Sequence, residues 1–253
     1  MHATSPSQLT PDWFALLGRS PLDPLLRDLL VALTDGIGVT NAMHPEVKSY
    51  RDCVYFNYFD LGLSLQFVPI GGYALAQGLQ LEALDLIRLA LDTIDIYNVP
   101  SSDPANTRAK SKASHYKSYP RLPMLVEFSH KDKSAGPSNS VTVAPEPAAV
   151  ARENLDKVSA PELTDITEPA NPQPVSVSLD AHTTGKDIVA RLGEPDRKGG
   201  GSGPTAGSIG IWCEWSKLGA MVEFGGDEAR GPQAWERGRE AIWSSLTLFK
   251  SRS

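Results

Sequence analysis

Five histidines and two cysteines are the residues here whose side chains most readily do chemistry, as metal ligands, bases or nucleophiles. His2, His44, His115, His130 and His182 stand alone, none with a His, Cys or carboxylate at a ligand spacing such as H-x-x-x-H or C-x-x-C. Cys53 and Cys213 sit beside or within apolar runs and read as reduced, semi-buried thiols. No G-x-S-x-G elbow marks a serine nucleophile, and neither cysteine has a His or Asn partner in view. Asp92 and Asp95 read as the solvated face of a strand, not as a catalytic pair. The glycine run "GEPDRKGGGSGPTAGSIG" (193–210) lacks the phosphate-loop pattern, because Lys198 precedes its glycines, and reads as a helix-to-strand loop. The sequence therefore asks for no cofactor, no metal and no enzyme; a cryptic hydrolase survives only because triads can assemble in space.

Three stretches carry residues suited to recognition instead. "NTRAKSKASHYKSYPR" (106–121) holds Arg108, Lys110, Lys112, Lys117 and Arg121 without one acid, and interleaves Tyr116 and Tyr119. It reads either as a solvated loop or as a contact for anionic phospholipid or an acidic partner surface. "EARGPQAWERGREAIW" (228–243) offers Trp235, Arg237, Arg239 and Trp243, residue types that dominate binding hot spots, or else packs a final turn onto a sheet. The third is "VYFNYFDLGLSLQF" (54–67), where Asn57 and Asp60 are the polar positions a partner would read. Nucleic acid is not an expected partner: the net charge is −6 and no RNA-binding signature is present.

The elements that would position these stretches form a repeating pattern. Laid over "IWCEWSKLGAMVEF" (211–224), the stretch 54–67 aligns Tyr55 with Trp212, Tyr58 with Trp215 and Leu61-Gly62 with Leu218-Gly219. Its polar positions Asn57 and Asp60 become Glu214 and Lys217. Each copy reads as a hairpin whose glycine takes a positive φ. A second alternating run follows each, "LDTIDIYN" (91–98) and "WSSLTLFK" (243–250), and a helix precedes each. The first helix is read with Ser20 as N-cap, Pro21 in the first turn, a buried stripe of Leu22, Leu25, Leu26, Leu29, Leu30 and Leu33, and Gly36 past its end. The second has Thr184 and Asp187 as a capping box, Ile188, Val189 and Leu192 as its buried stripe, and Gly193 and Pro195 as its stop.

The fold class predicted is α+β: two related modules, each a helix with an antiparallel sheet, in a tandem pseudo-repeat. The boundaries are a flexible N-terminus (1–14), a first module (15–128), a disordered linker rich in Pro, Ala and Ser (129–179) and a second module (180–251). From Ser129 to Ile211 there is no aromatic ring in Phe, Tyr or Trp form, which is why that stretch cannot offset its ordering entropy. No apolar run reaches the ~20 residues of a membrane span, so the chain is expected to be cytoplasmic without a transmembrane segment.

The residues of the first module resemble a known family. "YFNYFDLGLSLQF" (55–67), "IDIYNVP" (94–100) and "HYKSYPRLPMLVEF" (115–128) are similar to the strand, glycine turn, Asn-x-Pro strand and Tyr-bearing segment of phagosome assembly factors. The segment 71–90 and the long linker depart from that pattern. The resemblance implies a non-catalytic scaffold or adaptor working with a protein partner, recruited to autophagic membranes. The second module, "TGKDIVARLGEP" followed by "IWCEWSKLGAMVEF", is similar in pattern to outer-membrane assembly lipoproteins and β-lactamase-inhibitor-type modules. Since no lipoprotein signal is seen, only the fold analogy to those binding modules is carried forward.

Overall fold

Alternating apolar and polar residues give each strand one apolar face, and backbone hydrogen bonds between strand edges join those faces into the sheet that dominates this chain. The computed structural model describes residues 11–35, 42–99, 115–128, 175–201 and 210–252. In chain order its strands are β1 Glu46–Ser49, β2 Val54–Tyr58, β3 Leu63–Pro69, β4 Leu89–Tyr97, β5 Met124–Phe128, β6 Val175–Leu179, β7 Arg197–Gly199, β8 Trp212–Trp215, β9 Ala220–Phe224 and β10 Trp243–Phe249. The helices are α1 Trp13–Leu16, α2 Pro24–Thr34, α3 Gly185–Leu192 and α4 Ala234–Arg237. Eight strands form one antiparallel sheet in the order β1-β2-β3-β4-β10-β9-β8-β7, and β5 pairs with β6 separately. The class is α+β, with short helices and a mainly antiparallel sheet.

Register divides the sheet into two faces. Tyr58, Leu63, Ile96, Leu246, Val222 and Cys213 lie opposite one another strand by strand, and Phe56, Leu65, Ile94, Leu248, Ala220 and Trp215 form the next apolar row. These rows join one buried core with Trp13 and Leu16 of α1, Leu26, Leu29, Leu30 and Leu33 of α2, Ile188 of α3, and Val126 and Val177 of the β5-β6 pair. The alternate positions carry a row that is polar on seven of the eight strands: Glu46, Asn57, Ser64, Asp95, Thr247, Glu214 and Arg197, with Met221 on β9 between Thr247 and Glu214.

The seam of the sheet is β4 against β10, so strands from before residue 100 and after residue 190 share a single sheet. Both hairpins turn on a left-handed glycine, Gly62 at φ +59° and Gly219 at φ +72°. After each turn the glycine carbonyl accepts from a neighbouring strand end, from Tyr97 N at Gly62 and from Phe249 N at Gly219, at 2.9 Å in both cases. Gly62 also lies under the segment 117–119: a β-carbon there would sit 2.5 Å from the Lys117 carbonyl oxygen.

Several expectations need correction. The N-terminus is ordered by residue 13, because Trp13 is 2% exposed and Phe14 meets Phe128 edge-on at 5.7 Å. Helix α2 starts three residues later than read, with Asp23 as N-cap accepting from Leu25 N at 2.9 Å and Pro24 at its first position. Two Ser/Asp-Pro steps compete there, and Ser20-Pro21 is used as a turn before the helix, closed by Asp23 N donating to the Ser20 carbonyl. The shift leaves Leu22 and Leu25 out of the buried stripe, at 58% and 51% exposure. The linker ends early: residues 175–179, assigned to it, are strand β6. Residues 129–174 of that linker, and Gly36, lie outside the described residues. The capping box of α3 forms as read, with the Asp187 carboxylate accepting from Thr184 N at 3.0 Å and Thr184 Oγ1 at 2.6 Å. Those bonds hold the Asp187 carboxyl below its ordinary value. Among the described residues no helix is long and apolar enough to cross a membrane.

Candidate functional site

Two glycines bring the backbones of the second half together. Gly185, the first residue of α3, packs against the Gly238 carbonyl just after α4, where a β-carbon would sit 2.8 Å away. Gly238 in turn leaves no space for a β-carbon beside Ile211 Cδ1. The α3 N-terminus is also tied to the start of β10, with Gly185 N donating to the Ala241 carbonyl at 3.0 Å. With α3 and α4 held in this way over β7, β8 and β9, a cavity of about 430 Å³ remains between them. Its floor is apolar: Ile211, Cys213, Phe224 and Val189. Its polar lining is Lys186, Lys198, Arg239 and Glu194, three cations against one carboxylate in a chain of net charge −6.

Trp235 stands at this cavity with 43% of its surface exposed, a large apolar ring that the core does not take up. Lys198 reaches across, placing Nζ 5.8 Å from the indole centroid, within cation–π range. Lys186 and Arg239 share one carboxylate, Glu240, at 3.1 and 3.3 Å. The Cys213 thiol on the floor is pushed above its ordinary pKa mainly by burial, with Lys198 pulling it down and Glu194 adding to the rise. It is a weak nucleophile and a packing residue in this setting. Both cysteines are free thiols.

Of the partner-binding candidates singled out in the sequence, Trp235 and Arg239 meet at this cavity, and the other described candidates lie elsewhere. Asn57 is 5% exposed and fully engaged: its Nδ2 donates to the Glu46 carbonyl at 3.1 Å, and its Oδ1 accepts from Ser64 Oγ at 3.0 Å and Tyr116 OH at 2.6 Å. It ties β1, β2, β3 and Tyr116 together from a buried position. Its counterpart Glu214 is buried as well, bridged to Arg197 at 3.1 Å and accepting from Ser216 Oγ at 2.7 Å. Asp60 and Lys117, assigned to different surfaces, pair with one another at 2.6 Å. Arg121 donates to the Ala32 and Asp35 carbonyls, closing the C-terminal end of α2, where a cation also suits the helix dipole. Arg237 donates to the Asp227 and Arg230 carbonyls and so fixes the turn before α4. Trp243 is fully buried, with Nε1 donating to the Asp180 carbonyl at 2.7 Å. Arg108, Lys110 and Lys112 lie outside the described residues.

Sequence reading missed most of the lining. Lys198 faces Cys213 across β7 and β8, a pairing hidden because β7 is three residues inside a stretch that reads as a glycine loop. Asp95, expected on a solvated face, is half-buried and engaged within the sheet. Thr247 Oγ1 donates to its carboxylate at 2.7 Å in the middle of the sheet. Burial, with Glu223 nearby, raises the Asp95 pKa to about 6. Beside it Tyr97 and Tyr116 stack with centroids 3.9 Å apart, and Phe59 meets Tyr116 at 4.7 Å. Among the described residues no group of three His, Cys, Asp or Glu side chains could hold a metal ion.

No protein family matches this chain, no curated protein matches it by sequence, and no solved structure matches its fold.

Proposed function

We propose that the chain is a non-catalytic scaffold or adaptor whose protein partner docks at the cavity between α3 and α4. One observation carries this reading: an exposed indole and three cations ring an apolar floor of a size that takes one or two large side chains. Tryptophan and arginine at the edge of an apolar depression are the composition of a binding hot spot. The resemblance to phagosome assembly factors points in the same direction, toward a partner-dependent role in the cytoplasm at autophagic membranes.

The same reading takes the two halves as copies of one ancestral module. Strand order is consistent with it, since outward from the seam the strands run β4-β3-β2 on one side and β10-β9-β8 on the other. Under this reading Asp95 and Thr247 occupy equivalent positions, and their hydrogen bond lies on the axis relating the copies. Duplication then supplies the scaffold, and the cavity is a feature of the second copy. The anionic-lipid alternative is weakened by Lys117, which pairs with Asp60, and by Arg121, which caps α2.

Affinity capture with the tagged full chain, followed by reconstitution from purified components, tests the adaptor reading. Ala190 lines the cavity from an exposed position on α3, so Ala190→Trp places a ring across the opening without touching the packed floor. A stoichiometric partner held by the wild-type chain and lost from Ala190→Trp is the expected result. A partner bound equally by both chains would move the docking site elsewhere, and turnover of an ester or phosphate substrate that a point mutation abolishes would replace the adaptor with an enzyme.

A further inference from the structure

We infer that the cavity recognises an acidic peptide segment carrying one or two bulky apolar anchor side chains. This rests on the adaptor reading and adds the chemistry of the partner. The floor formed by Ile211, Cys213 and Phe224 offers no hydrogen-bonding side chain beyond a thiol, so only an apolar group can enter without losing its own hydration uncompensated. The volume of about 430 Å³ bounds the anchor: it accommodates a Trp, or a Phe with a Leu, and not a folded element.

Charge selects what flanks the anchor. Lys186, Lys198 and Arg239 line the cavity with one lining carboxylate, Glu194, and Glu240 stands just outside the lining. Glu240 already serves Lys186 and Arg239 together, so one carboxylate is shared between two cations. Lys198 has the Trp235 face as its neighbour at 5.8 Å. A carboxylate arriving beside the anchor meets Lys198 directly and relieves the two-to-one sharing at Glu240. A cationic segment would meet like charge at three points. Complementarity of this kind acts through the rate of encounter and the choice of partner more than through raw affinity.

The occupant is a peptide and not an acyl chain because the polar lining is distributed among α3, β7 and the segment following α4, and because Trp235 and Arg239 stand at its edge. Spaced cations around a short apolar floor suit spaced carboxylates on a backbone, whereas a lipid presents one headgroup to one end of a long apolar slot.

The test is selection of a random dodecapeptide display library on the intact chain, counter-selected on Ala190→Trp, with fluorescence anisotropy on individual synthetic peptides. Enriched peptides should carry a Trp, Phe or Leu anchor flanked by Asp or Glu. Replacing the anchor with Ala, or the acids with Lys, should each weaken binding on the order of tenfold. Lys198→Glu should reverse the charge preference, while Lys48→Glu, at the far edge of the sheet, should leave it unchanged. Enrichment of basic or anchor-free peptides overturns the inference, as does a selection that returns nothing sensitive to Ala190→Trp. So does binding of phosphatidylserine vesicles that Ala190→Trp abolishes, since that identifies a lipid occupant. If these results fail while a captured protein partner still depends on the cavity, the adaptor reading stands and the acidic-anchor chemistry falls.

Discussion

Asp95 and Thr247, 152 residues apart in the chain, face one another across the seam of the sheet with a 2.7 Å hydrogen bond. The threonine donates and the carboxylate accepts, so the bond favours the ionised acid, yet burial outweighs it and lifts the pKa to about 6. The acid is thus more easily protonated in the folded chain than in the unfolded one, where a carboxylate titrates near ~4.

The sign of the pH dependence follows. Stability contributed by Asp95 is fully present below pH ~4 and is lost as pH rises through about 6. Glu223, raised in the same direction by burial, adds to the slope. Asp95→Asn keeps an acceptor for Thr247 and removes the titration. In denaturant unfolding at a series of pH values, the variant should exceed the wild type by about 2–3 kcal/mol at pH 7 and converge with it near pH ~4. Parallel profiles for the two chains would contradict the assignment.

Gly62 combines a left-handed backbone with the segment 117–119 lying directly on it, whereas Gly72 has φ +74° and nothing within 4 Å of a β-carbon. Both alanine variants incur the strain of positive φ, about 1–3 kcal/mol. Only Gly62→Ala adds a backbone clash, so its loss should exceed that of Gly72→Ala by at least about 1 kcal/mol. Equal losses would mean that the 117–119 segment yields freely.

The Asp60–Lys117 pair is short but exposed, with 61% of the lysine side chain in solvent. A double-mutant cycle using Asp60→Asn and Lys117→Met should return a coupling of about 0–1 kcal/mol, decreasing with salt. A salt-insensitive coupling well above that range would point to a structural role for the pair.

Trp235 and Trp243 look interchangeable in the sequence and are opposites in the structure. Trp243→Phe leaves the Asp180 carbonyl without its indole donor, and Trp243→Ala also opens a core cavity, for a loss of about 3–5 kcal/mol. Trp235→Ala should shift stability by no more than about 0.5–1 kcal/mol while weakening partner binding. Thermal unfolding of the two variants, set beside capture of the partner, separates the roles.

That contrast also shows where the sequence stops being informative. Alternation in 91–98 and 243–250, and alternation that flips about a Leu-Gly step in 54–67 and 211–224, announced strands and turns, because local period and positive φ are local properties. The start of α2 was off by one turn because Ser20-Pro21 and Asp23-Pro24 carry the same local signal, and only the burial of Leu26 and Leu29 chooses between them. Strand β6 was invisible: "VSVSL" alternates, but it has no aromatic residue and becomes a strand only by pairing with β5, some fifty positions earlier. The cavity was half legible. Trp235 and Arg239 stood out by type, but Lys198 and Cys213 joined them only through a β7–β8 register that no local pattern encodes.

Cys213 reports directly on the central claim, since its sulfur lies on the cavity floor while Cys53 provides a buried thiol outside the lining. The measurement is the rate of thiol alkylation at each cysteine in the native chain, read by mass spectrometry with and without the purified partner at saturation. Docking at the cavity predicts that Cys213 is protected on the order of tenfold while Cys53 is unchanged. Labelling of Cys213 that proceeds at the same rate in the presence of the bound partner would contradict it.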